Sequence, residues 1–223
     1  ILRLNEDIFW KENRGRGGVG VPSTIIELIN QGALASDESS SNIETFNTNN
    51  TLNNQNLKKQ FIFARDLLEL FRRGDLKTSQ VFDIERLAKF FALSELTRTL
   101  HGAFGWNNLR FYYNPVTSLL EPIGFNGHAG LYTNSMWASE RIQESPEYDS
   151  SVNFYLQIFK DMEFFEKYIY YIEKYSEPTF IDQFFDEFEP IINEKLNILY
   201  RDFPQIDNLG KMKSVFKKTQ NVN

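Results

Sequence analysis

A change of hydrophobic period in the middle of the chain constrains the fold most. Over "KKQFIFARDLLELFRRG" (58–74), Phe61, Ala64, Leu67, Leu68 and Phe71 fall on one helical face, and Gly74 follows as a stop. "FDIERLAKFFALSELTRTLHG" (82–102) predicts a second helix, with Asp83 as its N-cap and Leu87, Phe90, Phe91, Ser94 and Leu96 as its apolar stripe. "NLRFYYNPVTSLLEPIGF" (108–125) then abandons that period. Its aromatic and branched runs lie either side of Asn114-Pro115, which starts a turn. The expected architecture is α+β and predominantly helical. Its hairpin occupies 109–113 and 119–125 and packs on helices at 60–73 and 83–100. Trp106, Phe111 and Phe125 are expected to be buried beneath it.

The flanks read more simply. "KENRGRGGVG" (11–20) is basic and glycine-rich but lacks GxxxxGK(S/T) and a GxGxxG in strand–turn–helix context, so a flexible basic loop is the favoured reading. "PSTIIELINQGAL" (22–34) predicts a short helix. The Ser- and Asn-rich stretch 35–59 holds too few apolar residues to offset the entropy of ordering and reads as a mobile linker. Residues 134–145 suit a short helix, and 151–176 an aromatic-rich helix or helix pair. Residues 178–204 form another, with Pro190 expected to kink or break it. Their carboxylates alternate with aromatics, as on a solvated face over a Phe-rich core. These readings divide the chain into 1–34, 35–59 and a helical domain at 60–220.

Composition removes several functions. A net charge of -6 argues against nucleic acid as the main partner, because phosphate binding runs on Lys and Arg. There is no cysteine, hence no disulfide, thiolate metal site or cysteine nucleophile. No apolar run reaches the length of a membrane span. The chain begins at Ile1 and reads as a piece of something longer.

The chemistry, if any, gathers around the hairpin. His101 and His128 are the two histidines. Two histidines without cysteine make a weak case for a zinc site, and no GxSxG marks a nucleophile. A lone histidine is more often a structural hydrogen-bonding residue. The order of parts is more telling. A helix ends near His101, the polar loop "HGAFGWNN" follows, and the hairpin leads to a second polar loop at Asn126-Gly127. Protein kinases arrange a catalytic loop, two short strands and a metal-binding residue in this order. Asn126-Gly127 also suits a plain turn, since both tolerate positive φ.

Residues 60–130 resemble the CotH family, the spore-coat-type atypical protein kinases. The matching pieces are Asp83, Glu95-Leu96, Trp106, Asn107-Asn108, Tyr112-Tyr113, Asn114-Pro115 with Thr117, and Pro122-Ile123 leading to Phe125-Asn126. The resemblance implies the larger lobe of a kinase-like fold, with ATP and Mg²⁺ as cofactors and a nucleotide-binding small lobe upstream, which residues 1–57 do not supply. It places catalytic roles on His101, Asn108 and Asn126, cofactor contacts on Asn107, Asn108 and Asn126, and metal contacts on Asn108, Asn126 and His128. Asn126 is expected at the end of the second strand, facing Asn108. The departures fall on the acids. Asn126 and His128 stand where the family has aspartates, and Ala103 stands where the loop aspartate is expected. A phosphotransferase frame without its acids implies weakened or lost catalysis on a protein substrate. The alternative is a non-catalytic helical interaction module of a larger bacterial surface or envelope protein.

Overall fold

The computed structural model describes residues 1–5, 41–104, 108–127 and 150–204, together with Lys213 and Lys217. The helix expected at 22–34 and the segment 134–145 lie outside them, as do Trp106, Asn107 and His128. The chain is mostly helical around one small antiparallel sheet. Strand β1 is Leu2–Leu4, β2 is Ile43–Thr45, β3 is Arg110–Asn114 and β4 is Leu119–Pro122. They lie in the order β2-β1-β3-β4. The hairpin pairs Phe111 with Pro122 and Asn114 with Leu119. β1 joins its other side, with Leu2 opposite Phe111.

Helix α1 is Thr48–Asn53, α2 is Gln55–Arg72, α3 is Thr78–Val81 and α4 is Ile84–Thr97. After them come α5 at Leu100–Phe104, α6 at Ser150–Phe159, α7 at Met162–Ser176 and α8 at Phe180–Asp202. Residues 41–59 are therefore not a linker, and the chain before residue 60 supplies two strands to the hairpin's own sheet. Asparagine accounts for the difference. The Asn47 side chain accepts from the Asn50 amide at 3.1 Å, and Asn54 accepts from the Asn56 and Leu57 amides at 3.0 and 3.1 Å. These are N-caps, which satisfy amides that the first helical turn leaves unpaired.

Helix α2 ends as expected. Gly74 takes φ 80, and the Asp75 amide returns to the Leu70 carbonyl at 2.9 Å. Helix α4 starts at the Asp83 cap, which accepts from the Arg86 amide at 3.0 Å. It stops at Thr97, three residues short of the expected end at 100. Arg98 adopts φ 55, and the Thr99 amide bonds the Ser94 carbonyl at 3.0 Å, a Schellman-type stop without glycine. Residues 101–104 are consequently helical rather than loop. Residues 150–176 form a helix pair, broken at Lys160-Asp161. α8 continues through Pro190 without ending, so the lost Pro190 N–H costs a hydrogen bond but no break.

Phenylalanine builds the core. Phe71, Phe82, Phe91, Phe111 and Phe164 are fully buried. Phe82 meets Phe71 edge-on at 5.1 Å and Phe111 at 5.2 Å, which couples the hairpin to α2. The Asp83 amide donates to the Leu120 carbonyl at 2.9 Å, fixing β4 to the start of α4. Phe125 departs from the expectation of burial. It is 44% exposed, with the Arg110 guanidinium 4.9 Å from its ring centroid. The last rung of the hairpin is the Ile123 amide on the Arg110 carbonyl, at 2.9 Å, and beyond it the chain leaves the sheet.

Candidate functional site

The two polar loops meet. Asn108 is buried just before β3, and Asn126 follows the end of β4. The Asn126 Nδ2 donates to Asn108 Oδ1 at 3.2 Å, and Asn108 Nδ2 donates to the His101 carbonyl at 3.3 Å. His101, Asn108 and Asn126, all drawn from the sequence as site residues, thus stand together. His101 takes part through its backbone, from the half-buried first turn of α5. Asn107 and His128, the other two, fall outside the described residues.

Local backbone makes this approach work. Asn126 has φ 50, a conformation that asparagine tolerates better than most residues. Gly102 lets α5 touch the returning chain, since a Cβ there would sit 2.6 Å from the Phe125 carbonyl oxygen and 3.1 Å from Gly127 Cα. Gly127 in turn approaches Thr99, with its would-be Cβ 3.4 Å from that residue's Cβ. Arg98 and Asn126, two of the three described non-glycine residues with positive φ, flank the cluster, and such strained backbone is concentrated at functional sites.

Ala103 carries a correction to the simple expectation of an empty base position. It is buried among the apolar core residues, so a carboxylate placed there would face the core rather than a substrate. Buried charge lies close by in sequence instead. Glu95 and Arg98 at the end of α4 and Arg110 at the start of β3 are all buried. Arg98 and Arg110 were not legible as special, because charged residues at element ends are ordinarily solvated. Glu95 accepts from the Tyr168 hydroxyl at 3.4 Å, tying α4 to α7. Burial, reinforced by the Glu95 charge, pushes the Tyr168 hydroxyl well above the ordinary tyrosine range.

The two described amides, Asn108 and Asn126, do not by themselves suit a tightly held Mg²⁺. Asn108 Oδ1 is engaged by the Asn126 amide, and both side chains are neutral, whereas Mg²⁺ prefers carboxylate oxygens. Among the described residues no three His, Cys, Asp or Glu side chains gather at one point. Nor, among them, is any helix long and apolar enough to cross a membrane.

No protein-family model, curated protein or solved structure matches the chain.

Proposed function

We propose that the chain is a CotH-like, protein-kinase-type domain whose phosphotransfer site has lost its acids, a catalytically weakened relative rather than a competent kinase. The observation that carries this reading is the Asn126–Asn108 hydrogen bond. It joins the end of the hairpin to the loop before it, where the resemblance puts a metal-binding residue opposite a loop asparagine. The positions expected to hold carboxylates are a neutral amide at Asn126 and a core methyl at Ala103. The Asn126 Nδ2–Asn108 Oδ1 bond uses one lone pair of the loop asparagine, and neither amide oxygen brings a negative charge to a metal. Such a site retains shape and hydrogen-bonding groups while lacking the negative charge that concentrates a divalent cation.

The reading is tested by titrating ATP, with and without Mg²⁺, against the full-length protein and its Asn126→Asp variant. It requires nucleotide binding that gains Mg²⁺ dependence in the variant. A second reading, the helical interaction module, is favoured by the apolar side chains along the exposed side of α8. It predicts no nucleotide binding by either protein.

A further inference from the structure

Helix α8 is apolar on two sides. Ile181 and Phe185 are buried in the core with Ile192 packed beside them, and Leu196 is buried further along the helix. Phe184, Phe188, Ile191 and Ile198 face solvent, with Leu199 at their margin. The solvent-facing set is spaced 4-3-7, and Lys195 fills the missing position, which is the spacing of a coiled-coil seam. The Phe184 and Phe188 rings already lie along one another at 5.0 Å.

The chain's own C-terminal lysines occupy a different side. Lys213 and Lys217 each reach Asp182 at 2.7 Å, and Lys213 lies 5.9 Å from the Phe185 ring centroid. At 100° per residue, Asp182 is about 160° around the helix from Phe184. Among the described residues, the seam side chains remain exposed.

We propose that this seam packs against the same seam of a second copy, antiparallel, about a two-fold axis at Ile191. Charge selects that occupant and that direction. Glu187 and Lys195 lie four residues either side of Ile191. An antiparallel pair therefore sets Glu187 of each copy opposite Lys195 of the other, twice. It also sets Phe184 against Ile198, Ile191 against itself, and Phe188 against the aliphatic stem of Glu194. A parallel pair would instead oppose Lys195 to Lys195 within the seam. Lys195 now pairs with Glu194 at 2.6 Å on an open surface, a contact of little energy and easily exchanged. The five exposed apolar side chains and their charged flanks bring the buried area to on the order of 1,000 Å² for the pair, the lower end for a specific interface. The dimer is thus weak and concentration-dependent, and it stands apart from the nucleotide-site reading.

Sedimentation of the full chain over a wide micromolar range tests it. The expected result is a reversible monomer–dimer equilibrium, weakened at least tenfold by Ile191→Glu with the far-UV circular dichroism unchanged. Glu187→Lys should weaken it too, and Glu187→Lys combined with Lys195→Glu should restore it. The chain has no cysteine, so Ile191→Cys supplies a single thiol at the axis. It should oxidise to a covalent dimer faster than Asp66→Cys, an exposed control on α2. A monomer at every concentration overturns the proposal and gives the seam to another partner. A dimer indifferent to Ile191→Glu overturns it, as does a charge-swapped double variant no tighter than Glu187→Lys alone.

Discussion

A Cβ on Gly102 would lie 2.6 Å from the carbonyl oxygen of Phe125, so α5 and the chain leaving β4 are packed backbone against backbone. That contact holds Asn126 within reach of Asn108. Gly102→Ala gains helix propensity, at most about 1 kcal/mol. It must also displace backbone, and overpacking of this kind costs about 1–3 kcal/mol. The expected net result in urea unfolding is a lower midpoint. Gly124→Ala is the control. Its Cβ meets only the Phe90 ring edge at 4.0 Å, and it should stay within about 0.5 kcal/mol of wild type.

Phe111 and Phe125 begin and end the hairpin region but carry different weights. Phe111 is buried against Phe82, and Phe111→Ala should cost about 3–5 kcal/mol. Phe125 is half-exposed beneath Arg110, and Phe125→Ala should lose about 1 kcal/mol, the scale of a partly solvated cation–π contact. Chemical denaturation of the two variants measures the contrast. Equal losses would contradict it.

Helices α4 and α7 are joined by a charged cluster whose strength follows pH. Glu85 accepts from the Tyr171 hydroxyl, from Lys167 at 3.0 Å, and pairs with Lys89 at 3.2 Å. The Tyr171 hydrogen bond first, then Lys167, hold its carboxyl down to about 2 from an ordinary 4.5. Folding thus favours the charged form. The contribution is present above the unfolded value and is lost as pH falls from about 4.5 toward 2. Asp161 acts in the same direction where α3 meets α7. Burial opposes its charge, but hydrogen bonds from Ser79 and the Glu163 amide keep it below the ordinary range. Tyr171→Phe should therefore move the acid-unfolding midpoint to higher pH while leaving stability at pH 7 less affected than Phe111→Ala does.

The hairpin was legible because its signals are local: the break in helical period, the aromatic and branched runs, and Asn114-Pro115. The burial of Phe111 followed from them. Strands β1 and β2 were not legible, because three-residue strands carry no period and exist through pairing with distant residues. Asn47 and Asn54 misled for a physical reason, since a capping asparagine and a loop asparagine look alike until the helix behind them is known. Phe125 was placed in the core by extending the strand period two residues past its last hydrogen-bonded rung at Ile123. At the site, the order of loops and strands pointed to the hairpin ends, and the CotH-like resemblance singled out His101, Asn108 and Asn126. The glycine contacts that press them together became visible only once α5 was seen to fold where a loop was expected.

The most direct test of the central claim is calorimetric titration of ATP, with and without Mg²⁺, into full-length wild type and Asn126→Asp. Aspartate tolerates the φ of 50 at this position, so the variant should fold, and its thermal unfolding is the check. Asn126-Gly127 is prone to deamidation, and mass spectrometry must first show that the wild-type sample carries the amide. The account predicts nucleotide binding by wild type with little Mg²⁺ dependence, and tighter binding by Asn126→Asp only when Mg²⁺ is present. Failure of both folded proteins to bind nucleotide with Mg²⁺ would contradict it and make the Asn108–Asn126 contact a turn in a scaffold.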